Sequence, residues 1–208
     1  RPQQQYLSEL VAGEEDLSDE RIAIDAANQD SFYISNRVEG AAAPFGRLLY
    51  HSDGMWSDMP FDVISLYGEE LTPPVPGTLF VSTVRAWETL PDSLRAQVEG
   101  RSALHVEGPE SFAHRGRKGT EGGDLVQARR DKVYSFTRPI AWVHPRTGRT
   151  LLNVSQQMTS HIEGLPTEES EALLEQLFDH MYAPDNVWQH DWQLGDLVLW
   201  DNYALQHA

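Results

Sequence analysis

Residues 72–77, Thr-Pro-Pro-Val-Pro-Gly, set the first hard limit on this fold. Their prolines carry no backbone N–H, so the stretch can join neither a β ladder nor a helix interior. It must turn. On either side lie short runs rich in β-branched and aromatic residues, 61–67 (Phe-Asp-Val-Ile-Ser-Leu-Tyr) and 78–82 (Thr-Leu-Phe-Val-Ser), which read as strands. The same alternation recurs. Residues 133–143 are extended, His144-Pro145-Arg146-Thr147-Gly148-Arg149 makes a hairpin turn, and 150–154 return. Residues 187–192 alternate as a strand, 193–196 turn, and 197–200 form a buried strand. A further strand is expected at 32–36.

Helices are inserted into this pattern. A short one is expected near 18–27, and residues 83–100 read as helical with a break at Leu90-Pro91-Asp92. The clearest begins at Thr167, read as its cap, with Glu168 and Glu169 at its positive end. Leu173, Leu174, Leu177, Phe178 and Met181 form one apolar stripe, and Pro184 stops the helix. Short strands joined by turns, with few helices, imply a mainly β, jelly-roll-like fold rather than a parallel α/β sheet. The 208 residues fit a single domain over 1–208, expected to be incomplete at both ends. The Gly-rich, charged stretch 106–132 is a candidate mobile lid.

The net charge of −16 argues against a nucleic-acid partner and against attraction to anionic membranes. No apolar run is long enough to span a bilayer. There is no cysteine, so neither disulfides nor thiolate metal sites can form, which fits a cytoplasmic protein. A small-molecule partner is the remaining expectation, and homo-oligomer formation stays open.

The chemistry begins at Tyr50-His51-Ser52-Asp53. On an extended segment, His51 and Asp53 point to the same side. An imidazole and a carboxylate on one face can hold two adjacent corners of a metal ion. His207, 154 residues after Asp53 (207 − 53), can supply the third ligand. Two histidines and one carboxylate are the facial triad of non-haem Fe(II) oxygenases. His144 belongs to its hairpin turn, and His180 to the last turn of its helix.

The chain resembles the TauD/TfdA family of Fe(II)/2-oxoglutarate-dependent dioxygenases. The resemblance rests on His51-Ser52-Asp53, Pro76-Gly77-Thr78-Leu79-Phe80, His144-Pro145-Arg146-Thr147-Gly148-Arg149, Gly164-Leu165-Pro166-Thr167-Glu168-Glu169-Ser170, Gly195-Asp196-Leu197-Val198-Leu199-Trp200-Asp201-Asn202 and Gln206-His207-Ala208. These occur in the family's order over residues 47–208. The resemblance implies a double-stranded β-helix core, with His51, Asp53 and His207 as iron ligands and catalytic centre. It implies 2-oxoglutarate and O2 as co-substrates, succinate and CO2 as products, and oxidation of a C–H bond in a small organic molecule. Thr78 matches the threonine that binds the far carboxylate of 2-oxoglutarate. Met55, Trp56, Asn153 and Met158 fall near positions that contact substrate. Two departures stand out. Val75-Pro76-Gly77-Thr78 replaces the usual Gly-Gly-Asp-Thr, and the arginine that forks onto the 2-oxoglutarate carboxylate is expected beyond Ala208, with Arg138 and Arg149 as substitutes. The alternatives are a non-catalytic jelly roll that keeps the motif to bind a ligand or partner, and a metalloenzyme using another divalent ion without 2-oxoglutarate.

Overall fold

The computed structural model describes residues 48–107 and 134–208, together with Tyr6, Leu7, Leu10, Val11, Ile34, Ser35 and Arg37. The expected helix at 18–27 and the candidate lid lie outside these residues, apart from the first two positions of the lid. Of the strand expected at 32–36, only Ile34 and Ser35 are described.

Among the described residues, ten strands follow in order: β1 Val63–Tyr67, β2 Thr78–Ser82, β3 Ser102–Val106, β4 Ser135–Pro139, β5 Ala141–Val143, β6 Thr150–Leu152, β7 Thr159–Ile162, β8 Val187–His190, β9 Leu197–Asp201 and β10 Leu205–His207. Among the described residues, three α-helices interrupt the strands, α1 Thr83–Glu88, α2 Asp92–Val98 and α3 Thr167–Met181, and a 3-10 turn at Pro184–Asn186 follows α3. All strand pairs are antiparallel, in the orders β1-β9, β10-β2-β8, β4-β3-β7 and β5-β6. None of the described helices is long and apolar enough to cross a membrane.

The turn-rich prolines do what their chemistry dictates. Residues 72–77 carry no strand or helix, and β2 begins at Thr78. The helical stretch 83–100 divides at Leu90-Pro91 as expected, with Pro91 preceding α2 at the cap position. Thr167 is not the cap of α3. Pro166 occupies that place without a side-chain hydrogen bond, and its fixed φ starts the helix one residue earlier.

The apolar stripe of α3 is buried as its spacing requires. Leu174, Leu177 and Met181 join Val81, Val98, Ile140, Leu152 and Ile162 in one core. Each such side chain contributes roughly 1.5–3 kcal/mol through burial. β3 and β7 were not expected. Their polar sequences, Ser-Ala-Leu-His-Val and Thr-Ser-His-Ile, become strands because each pairs along its length and buries alternate side chains such as Ala103 and His105.

Candidate metal centre

The centre is assembled where the segment preceding β1 meets β10. His51 and His207 form an isolated antiparallel bridge, with His51 N–H donating to the His207 carbonyl at 3.0 Å and His207 N–H returning to His51 at 2.9 Å. The pairing stops there. Asp53 lies in a turn rather than on the expected extended strand, because Gly54 at φ +70° bends the chain away. The two side chains still face each other: His51 Nε2 is 3.5 Å from Asp53 Oδ1. His207 Nε2 is 3.7 Å from Asp53 Oδ2. One ligand atom from each residue lies within 4.8 Å of the other two.

The donor set suits a divalent metal. His51 Nδ1 sits 2.8 Å from the Leu49 carbonyl, which can only accept, so Nδ1 carries a proton and Nε2 is the nitrogen that faces Asp53. Burial disfavours a charged carboxyl at Asp53, but the His51 hydrogen bond and the charges of both histidines outweigh it and hold its pKa below the ordinary value. Burial, reinforced by the nearby His51 charge, pushes His207 down to about 3, so its imidazole is neutral. For His51, burial is outweighed by Asp53 and by the backbone carbonyls of Leu49 and His207, and its pKa rises. Among the described residues, Nδ1 of His207 is buried without a hydrogen-bond partner. Metal ligation needs an anionic carboxylate and imidazole lone pairs, so Asp53 and His207 are already in the ligating state, and a bound ion would displace the proton that Asp53 favours on His51 Nε2.

The surroundings are aromatic. His207 stands 4.9 Å from the Trp200 ring and 6.4 Å from Phe80, centroid to centroid. Phe80 pairs with His207 across β10-β2 and with Trp188 across β2-β8, so these side chains share one sheet face. Thr78 lies two residues before Phe80 and therefore on the same face. Its Oγ1 accepts from Trp192 Nε1 at 2.9 Å, which leaves its own hydroxyl proton to donate.

The remaining sequence-derived candidates are dispersed. Met55 is buried, and Trp56 packs against Tyr134 at 5.2 Å. Asn153 is buried. Its Nδ2 donates to the Pro139 carbonyl and lies 3.4 Å from His105 Nε2. Met158 joins the neighbouring segment through a backbone bond to Val106. That segment runs beside the centre, since Gln206, the residue before His207, donates to the Val154 carbonyl at 2.7 Å. Arg138 and Arg149 are engaged elsewhere. Arg138 stacks on Phe136 and Trp142 and donates to the carbonyls of Met55, Ser57 and Asp58. Arg149 pairs with Glu88.

Sequence reasoning missed the residues that hold the ligands. Asn202 grips the Asp53 peptide, accepting from its N–H at 2.9 Å and donating to its carbonyl at 2.8 Å. His144 Nδ1 accepts the N–H groups of Arg146 and Thr147, so its Nε2 carries a proton and donates to Asp201 Oδ2 at 2.9 Å. Asp201 Oδ1 in turn accepts from Tyr203 and Ala204 N–H, forming the turn that delivers β10. Their presence in the Trp-Asp-Asn and His-Pro motifs was the available signal.

Two histidines and one carboxylate gathered between antiparallel strands could hold a metal ion, and the comparisons place the chain in a family. Residues 4–208 match the family described as "Taurine catabolism dioxygenase TauD, TfdA family", and the chain belongs to it. It is 32% identical over 164 residues to the alpha-ketoglutarate-dependent 2,4-dichlorophenoxyacetate dioxygenase of Cupriavidus pinatubonensis, covering 78% of this chain and 54% of that one. It is 33% identical to the (S)-phenoxypropionate/alpha-ketoglutarate-dioxygenase of Sphingobium herbicidovorans, over 78% and 56% of the two chains. The chain thus spans about half the length of these relatives. Among solved structures, a taurine dioxygenase from Burkholderia xenovorans superposes with a TM-score of 0.61 at 30% identity, over 76% of this chain and 50% of that one. AAD-2 in complex with Mn(II) and N-oxalylglycine gives 0.62 at 26%, over 76% and 56%. The core is the double-stranded β-helix, or jelly roll, of these dioxygenases.

Proposed function

We propose that the protein is an Fe(II)/2-oxoglutarate-dependent dioxygenase that oxidises a C–H bond of a small organic substrate, with formation of succinate and CO2. The observation that carries this reading is the approach of His51, Asp53 and His207 to within 4.8 Å in a chain of the TauD/TfdA family. These three residues would hold the iron. A bound Fe(II) with 2-oxoglutarate supplies the activation of O2 and the oxidising power, using the coordination positions a facial triad leaves open.

The protein's own groups do the rest. Asp53 supplies the negative charge, and His207 stays neutral at working pH. Thr78 donates its hydroxyl proton to the far carboxylate of 2-oxoglutarate, oriented by Trp192. The aromatic face of Phe80 and Trp200 limits water around the centre, which strengthens the electrostatic interactions within it. Met55 and Trp56, in the loop after Asp53, and Asn153 and Met158, in the segment beside β10, are assigned to the substrate side. Support comes from relatives whose names specify alpha-ketoglutarate and aryloxyalkanoate substrates. It comes also from the neighbour holding Mn(II) with N-oxalylglycine, a compound with the oxalyl and terminal carboxylate groups of 2-oxoglutarate.

The test is succinate release from 2-oxoglutarate with added Fe(II), across a panel of aryloxyalkanoic and aminosulfonic acids. Release stimulated by a panel member, and abolished in His51→Ala and Asp53→Ala, is expected. No succinate above the level of those variants, with or without any panel member, would overturn the reading.

A further inference from the structure

We propose that Asn202 is the positioning residue that joins the two halves of the His51–Asp53–His207 centre, an inference that rests on the metal-binding reading of those residues. The backbone ladder ends at the His51–His207 bridge. Two residues later, the Asp53 peptide meets a side chain where a strand partner would otherwise stand. Asn202 Oδ1 takes the Asp53 N–H, and Nδ2 supplies the Asp53 carbonyl. The second Nδ2 proton goes to the Phe61 carbonyl at 2.8 Å. One donor and two acceptors fix which end of the amide is oxygen, so it cannot flip without losing all three bonds. Asn202 is fully buried, and its own N–H donates to the Asp62 carbonyl at 3.0 Å.

The neighbouring residue serves the other half. Asp201 shapes the turn into β10, which carries His207, and is itself held by His144. Adjacent residues therefore set the Asp53 backbone and the approach of His207 in a single frame. Gly54 turns the chain away directly after Asp53, so the amide grips the loop at the point where it leaves the sheet. Groups that orient a ligand from outside the coordination shell typically change metal affinity by roughly 10- to 100-fold when removed.

The experiment is a Co(II) titration of the protein followed by visible absorption, with fold monitored by circular dichroism. Asn202→Ala and the near-isosteric Asn202→Asp are compared with Leu174→Ala, which weakens the core beneath α3 without touching the centre. Both Asn202 variants are expected to bind Co(II) roughly 10- to 100-fold more weakly, with altered ligand-field bands. Leu174→Ala should keep the wild-type affinity and spectrum. Wild-type affinity and bands in a folded Asn202 variant would overturn the proposal. So would equal weakening in Leu174→Ala, or failure of both Asn202 variants to fold, since each reduces Asn202 to a structural residue. Absence of Co(II) binding by the wild-type protein is a separate outcome that overturns the metal-binding reading itself.

Discussion

His105 shows how burial can dominate the behaviour of one side chain. It is fully buried on β3, with Thr159 Oγ1 at 3.1 Å from Nδ1. Burial, with the charge of Arg138, pushes its pKa from 6.5 down to about 3, so the folded protein holds a neutral imidazole. In the unfolded chain the same group protonates near 6.5. Between those values the unfolded state binds more protons. The contribution to stability is therefore complete above about pH 6.5 and is lost as pH falls toward about 3, by at most about 1.4 kcal/mol per pH unit. Urea unfolding of His105→Gln at intervals from pH 7 to pH 4 should give a shallower decline than the wild-type protein. Parallel declines would refute the assignment.

At the scale of elements, Arg138 ties β4 to the loop that follows His51 and Asp53. Its guanidinium spans three carbonyls between residues 55 and 58 while stacked on Phe136 and Trp142. A lysine cannot reproduce that fork. Arg138→Lys should lower stability by about 2 kcal/mol, and Arg138→Ala by about 3 kcal/mol, in urea titrations. Equal midpoints for either variant and wild type would show that the loop needs no clamp. Elements with strong local chemistry were readable before the structure. Proline placed the turn before β2 and the break between α1 and α2, and helical spacing marked the buried stripe of α3. β3 and β7 were not readable, because their strand character comes from partners distant in sequence. The same division runs through the centre. His51, Asp53 and His207 announce themselves by residue type. Asn202, Asp201 and Arg138 work by where the fold puts a polar side chain against another segment's backbone; the Trp-Asp-Asn motif marks the first two without saying which backbone each one holds.

For the molecule as a whole, 32 acidic residues against 16 basic ones mean that folding gathers like charge. Self-repulsion of this kind is relieved by screening. Raising salt from 20 to 300 mM should stabilise the protein by about 1 kcal/mol, or some 2–4 °C in Tm by calorimetry. No change would mean that the charges are already balanced locally. The bridge between His51 and His207 has a further consequence, for the order of events as the chain is made. The two residues stand 156 positions apart (207 − 51). At synthesis rates of about 5–20 residues per second, roughly 8–30 s separate His51 and Asp53 from His207. During that interval His51 and Asp53 can offer an ion only two corners and no bridge strand. On the metal-binding reading, the three-ligand site cannot close until His207 has been made, and its closure belongs to the high-contact-order part of folding.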